Sequence, residues 1–204
     1  MITMRARRLV TAAAITFGLV GAAAAVPAVA SAAGTTSAAA TAVTTSTTSS
    51  TNALLTAIND ARMHPEKYPP RGNTAGAKMG ACPTPFRQSA ALYKGANAHD
   101  KFLAGQPTSW VESGVNAHRD PNGALAWESN GHIAAAGFNS ARAEIVAWGQ
   151  PTSAAAVRAW MQDDEHSAWG HRNIILDCSL TYAGASNYAG GPAGHYFTAD
   201  MGNR

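Results

Sequence analysis

The chain has 204 residues, 46% hydrophobic and 13% charged, which suits one domain of ordinary size with a buried core. Its formal charge of +3 comes from 15 basic and 12 acidic residues; Arg5, Arg7 and Arg8 supply the whole excess, and without them 12 face 12. That balance excludes a basic footprint for nucleic acid, and no Lys-rich tract or basic amphipathic helix is present to hold an anionic membrane.

The three arginines precede a continuous apolar run from Leu9 to Val26, followed by small-residue cleavage sites at Ala28-Val29-Ala30 and Ala30-Ser31-Ala32. Residues 1–32 therefore read as a secretory signal peptide, and removal is expected rather than a lasting membrane anchor. The Arg7-Arg8 pair alone does not decide the export route. Residues 33–51 are almost wholly Ala, Thr, Ser and Gly, without a charge or an aromatic ring, and read as a flexible spacer. One domain, 52–204, is left.

An exported chain with two cysteines, Cys82 and Cys178, is expected to pair them. The bridge would close a loop of about 100 residues, for which chain entropy predicts ~4.7 kcal/mol. A reactive thiol would need a histidine base and an electropositive setting instead.

The domain opens with Leu54, Leu55, Ile58 and Met63 on one helical face, with Asn59 and Arg62 off that stripe. His64-Pro65 and Tyr68-Pro69-Pro70 end this helix. A second helix is expected from Pro83–Pro85, with Thr84 as N-cap and Ala90, Leu92, Ala96, His99, Phe102 and Leu103 on a broad face. A lone histidine on such a face reads as a core residue, which is the reading given to His99. His118-Arg119-Asp120-Pro121-Asn122-Gly123 places a histidine just before a tight turn, where its ring can be aimed into a cleft. The His-Arg-Asp triplet is not a kinase loop, since Asn122 follows Asp120 too closely and no phosphate loop precedes it.

Trp127–Ala136 reads as a short helix closed by Gly137. The strand-like run Ala141–Trp148 carries one acid, Glu144, which needs polar company among Ala143, Ile145, Val146 and Trp148. A helix from Pro151-Thr152-Ser153 runs to Gln162, and Asp163, three residues after Trp160, is expected near the same face. Ile174-Ile175-Leu176 reads as a strand start. Thr181–Tyr188 and His195–Met201 read as two strands joined by a Gly-rich turn. Helices first and strands late indicate an α+β fold with an antiparallel sheet.

Five segments in order carry a resemblance: Ile58-Asn59 with Arg62; Ala96, Ala98, His99, Phe102 and Ala104; His118, Pro121 and Gly123; Glu144–Gly149; and Asp163-Asp164, six residues, then His171-Arg172 and an apolar run. Together they resemble the CAP superfamily of cysteine-rich secretory, venom antigen and pathogenesis-related (SCP-like) proteins, specifically its bacterial exported members. The resemblance implies a three-layer α-β-α sandwich with a central antiparallel sheet. It also implies a cleft lined by two histidines and two acids: His118, Glu144, His171 and Asp163, with Asp164 the competitor for the fourth position. Ala143 and Ile145 depart from the family's Gly-Glu-Asn pattern.

Two imidazoles with carboxylates are a donor set for Zn²⁺ or another divalent cation, and without metal the same groups are general acids and bases. The expected cofactor is thus Zn²⁺ or its like, on His118, Glu144, Asp163 and His171. The expected function is that of a secreted monomer whose cleft binds an extracellular ligand, a lipid or cell-envelope component, with no reaction assigned. The alternative is a metal-dependent hydrolase or protease in the same cleft. No His-Glu-x-x-His and no Gly-x-Ser-x-Gly motif supports a standard hydrolase, and His166 reads as a solvated neighbour.

Overall fold

The computed structural model describes residues 47–204. The expected signal peptide and the spacer up to residue 46 lie outside the described residues. Helix α1 (Thr47–Met63) opens before residue 52 and buries Leu54, Leu55, Ile58 and Ala61, the spacing of one helical face. Arg62, expected off that stripe, is buried as well. Its guanidinium donates to four carbonyls, those of Thr84, Ile175, Asp177 and Leu180, at 2.7–3.0 Å, and lies 3.9 Å from the centre of the Phe86 ring. A planar five-donor fork can satisfy itself on backbone oxygens alone, so it needs no acid.

Strand β1 (Arg87–Gln88) is followed by α2 (Ala90–Ala104), capped by Ser89, whose hydroxyl accepts from the Leu92 amide at 3.3 Å. The expected start at Pro83–Pro85 is therefore too early, because Arg87 and Gln88 are held extended by pairing with a later strand. Short helices α3 (Thr108–Val111) and α4 (His132–Ala135) follow. The helix expected over Trp127–Ala136 is reduced to α4, which starts after Gly131, where a Cβ would overlap the carbonyls of Leu125 and Ala126. Then come β2 (Arg142–Trp148), α5 (Ser153–Gln162), α6 (Gly170–Ile175), β3 (Tyr182–Ala189) and β4 (His195–Gly202). Ile174-Ile175-Leu176 ends a helix rather than starting a strand. A three-residue apolar run carries no period, and the turn that buries Ile175 also buries Arg172 three positions earlier.

The sheet order is β1-β3-β4-β2. β4 is the centre of an antiparallel trio, and β1 adds a two-residue parallel edge beside β3, so the sheet is antiparallel apart from that edge. Alternation then sorts the strands into two faces. Ile145, Ala147, Ala183, Ala185, Phe197, Ala199 and Met201 join α1, α5 and α6 in the larger core. The opposite face is covered by α2, and the architecture is a three-layer α-β-α sandwich. Gly184 lets α2 lie close, because a Cβ there would overlap the backbone of Leu92 and Tyr93.

Cys82 and Cys178 form the expected disulfide. Among the described residues no helix is long and apolar enough to cross a membrane.

Candidate functional site

His118 ends a single 3-10 turn, Val115–His118. Beyond it the chain folds back: Asp120 N donates to Ala124 O at 2.8 Å, Gly123 N to Asp120 O at 2.8 Å, and Ala126 N to His118 O at 2.9 Å. Gly123, at φ +83°, makes that reversal possible. The ring is thereby fixed with Nδ1 2.8 Å from Glu144 Oε1. A carboxylate only accepts, so Nδ1 carries a proton and Nε2 is the nitrogen left for a ligand. Burial alone would push the Glu144 carboxyl up, but the positive field of His99 and the His118 hydrogen bond hold it below its ordinary value.

His171 stands in the first turn of α6 with Nδ1 2.6 Å from Asp164 Oδ1. Asp164 is the hub of the preceding loop. Its carboxylate also accepts from the Ser167 hydroxyl and from the Arg172 amide, and its carbonyl accepts from the amides of Ser167 and Trp169. Ala168 and Trp169 are both left-handed, at φ +54° and +64°, a conformation that costs about 1–3 kcal/mol for each such residue. The buried Trp169 ring, donating to Asn73 O at 2.9 Å, and the Asp164 bonds hold the loop in that shape. Burial raises the Asp164 carboxyl, yet the His171 and Ser167 hydrogen bonds outweigh it, and the group stays below its usual range.

Both histidines line one cleft of about 550 Å³, together with the polar Gln150, Asp164, His166 and Ser167 and the apolar Val115, Val146, Trp148 and Trp160. A second hollow of about 450 Å³ shares His118 and His171 and reaches Glu144 and Trp127. The imidazoles are 18% and 19% exposed, so their free nitrogens can meet a ligand.

The sequence-expected set is thus brought together in three of its four members. Asp163 stands apart, its side chain 50% exposed and paired with Arg71 at 3.2 Å. Asp164 supplies the acid beside His171. His166 sits at the rim, with Nδ1 3.1 Å from Asp163 O. The four expected metal ligands do not form one shell, since Asp163 is outside and Glu144 Oε1 is committed to His118. Among the described residues, the group of three whose ligand atoms all lie within 4.8 Å of one another is His99, His132 and Glu144.

That second cluster meets the first at Glu144, whose Oε1 is paired with His118. His99 is on α2, His132 opens α4, Glu144 is on β2, and Asp200 is its register partner on β4. His132 Nδ1 is 2.6 Å from Asp120 Oδ1, and its Nε2 is 2.8 Å from Asp200 Oδ2. His99 Nε2 is 2.9 Å from Ala117 O. Burial alone would lower both imidazoles. The Glu144 charge and Asp120 instead bring His99 up to about 9, and the Asp120 and Asp200 hydrogen bonds bring His132 up to about 11. Burial likewise pushes Asp200 up to about 7. None of these residues except Glu144 was expected at a site. His99 looked like a core position, His132 and Asp120 sit in turn-rich segments, and the one available signal was an acid, Asp200, in a strand otherwise suited to burial.

No protein-family profile matches the chain, and no curated protein matches it. Among solved structures, the venom allergen-like protein 4 of Schistosoma mansoni is similar over 77% of this chain and 87% of that one, with a TM-score of 0.45 and 10% sequence identity.

Proposed function

We propose that this chain is an exported CAP-domain protein whose cleft captures an extracellular ligand between the His118–Glu144 and His171–Asp164 pairs. One observation carries the reading: each imidazole is anchored through Nδ1 to a buried carboxylate, which leaves two Nε2 atoms for a ligand in a cleft also lined by Val146, Trp148 and Trp160. Such a cleft suits an amphipathic molecule, with an apolar body against Val146, Trp148 and Trp160 and a polar head between the histidines. A lipid or cell-envelope component has that form. Export is supported by the amino-terminal pattern and by a disulfide, which persists in oxidising surroundings.

The test is binding of a fluorescent fatty acid, and its displacement by cell-envelope lipid extracts, by wild type and by His118→Ala and His171→Ala. The double substitution is expected to weaken binding about tenfold or more, the loss of roughly one charge-assisted hydrogen bond. Equal binding by folded wild type and double variant would refute the cleft reading. The alternative, hydrolysis, draws on the Asp164–His171 pair, whose oriented imidazole with a free nitrogen is a general-base arrangement. Ester or peptide turnover that disappears in folded His171→Ala protein would favour it over capture.

A further inference from the structure

We propose that His99 Nε2, His132 Nε2 and Glu144 Oε2 form a binding site for one divalent transition-metal cation of the Zn²⁺ type, distinct from the His118–His171 pair.

The distances come first. A tetrahedral cation with bonds of about 2.0–2.1 Å sets its ligand atoms about 3.4 Å from one another. Glu144 Oε2 lies 3.4 Å from His132 Nε2 and 3.7 Å from His99 Nε2. Three protein ligands leave the fourth corner to a water, beside Asp200 Oδ2, which is 2.8 Å from His132 Nε2.

The second observation is what the cluster leaves unsatisfied. Glu144 Oε2, His99 Nδ1 and Asp200 Oδ1 are buried without a hydrogen-bond partner, and the Glu144 side chain is 0% exposed. Orphaned polar atoms in one buried cluster cost about 1–3 kcal/mol each, and a cation among them removes that cost at Glu144 directly. Glu144 Oε1 is held by His118, so Oε2 is the oxygen that faces the two imidazoles.

The surroundings have the form that metal-ligating histidines require. Asp120 Oδ1 stands 2.6 Å from His132 Nδ1, which holds that ring through its outer nitrogen, and 3.5 Å from His99 Nδ1. His99 exchanges its 2.9 Å contact with the Ala117 carbonyl for the cation. Gly95 on α2 makes the room, because a Cβ there would lie 2.9 Å from His132 Cδ2 and 3.3 Å from Asp200 Oδ2. Two imidazoles and one carboxylate select Zn²⁺ and its neighbours over Mg²⁺ or Ca²⁺, which take oxygen donors. His132, 16% exposed, is the way in. The site does not depend on the identity of the cleft ligand.

The test is calorimetric titration of chelator-stripped protein with Zn²⁺ at pH 8. Wild type is expected to take up one equivalent, His132→Gln to lose it, Asp120→Asn to weaken it about 10–100-fold, and His171→Ala to keep it. No stoichiometric uptake by wild type overturns the site, as does uptake that vanishes in His171→Ala but survives in His132→Gln. Should His132→Gln fail to fold, the ¹⁵N imidazole resonances of unmutated protein decide. Zn²⁺ is expected to shift those of His99 and His132; shifts confined to His118 and His171 assign the cation to the cleft and overturn the proposal. Loss of fatty-acid binding with Zn²⁺ uptake intact would bear on the cleft alone.

Discussion

Asp163 and Asp164 are neighbours in sequence and opposites in surroundings. The i+3 relation to Trp160 favoured Asp163, but α5 ends at Gln162 and Asp163 already has non-helical backbone angles, so helical phase no longer governs where it points. It lies in solvent against Arg71, and an exposed pair of this kind contributes about 0–1 kcal/mol. Arg71→Ala is therefore expected to change the urea midpoint little. Asp164 is different, because its carboxylate organises a strained loop and orients His171. Its folded-state value is depressed below the reference of 3.8. The resulting stability is fully present above about pH 4 and is lost as pH falls through the lower folded-state value. Asp164→Asn should thus be less stable than wild type at pH 7, by about 1–3 kcal/mol for a buried partner removed, with the gap closing on acidification toward pH 2. Urea unfolding at pH 7, 4 and 2.5 measures this, and a gap that stays constant across that range would contradict it.

At the scale of elements, the strands and the longer helices were legible because each carries a full period. α5 and the β3–β4 hairpin fall within a residue or two of expectation; Thr152 caps α5, accepting from Ala155 N at 3.1 Å. The cleft histidines were legible through motif spacing, and Glu144 through the cost of an acid in an apolar strand. The buried cluster was not legible. Its members lie on α2, a turn, α4, β2 and β4, and they meet only because β2 and β4 pair Glu144 with Asp200 while α2 crosses that face. No local period encodes such a meeting. The docking of α2 depends on Gly184, which sits mid-strand where glycine is otherwise unfavourable. Gly184→Ala is expected to cost at least the 1–3 kcal/mol typical of overpacking, since the atoms met are backbone rather than a flexible side chain. Thermal unfolding should show a lowered Tm; an unchanged Tm would mean that α2 is not seated as described.

For the whole molecule, the ends of the sandwich are tied by two devices at one place. The disulfide joins Cys82 to Cys178 across 96 residues of chain. Arg62, whose own carbonyl accepts from the Cys82 amide at 3.0 Å, binds the carbonyls of Ile175, Asp177 and Leu180 on either side of Cys178. Both therefore hold the segment after α6 against the end of α1, the covalent link by restricting the unfolded chain and the guanidinium by native hydrogen bonds. Replacing both cysteines by serine should cost about 2–4 kcal/mol. Arg62→Met should cost at least as much as one unsatisfied buried carbonyl, about 1–3 kcal/mol, because four acceptors lose their donor together. The two effects share partners, so they should not add. With the disulfide gone, the segment is free to move away and solvate its carbonyls, and the further loss of Arg62 then matters less. A double-mutant cycle on urea unfolding is expected to give a coupling of at least about 0.5 kcal/mol. Strict additivity would show that the disulfide and Arg62 act on the fold independently, despite meeting at the same few residues.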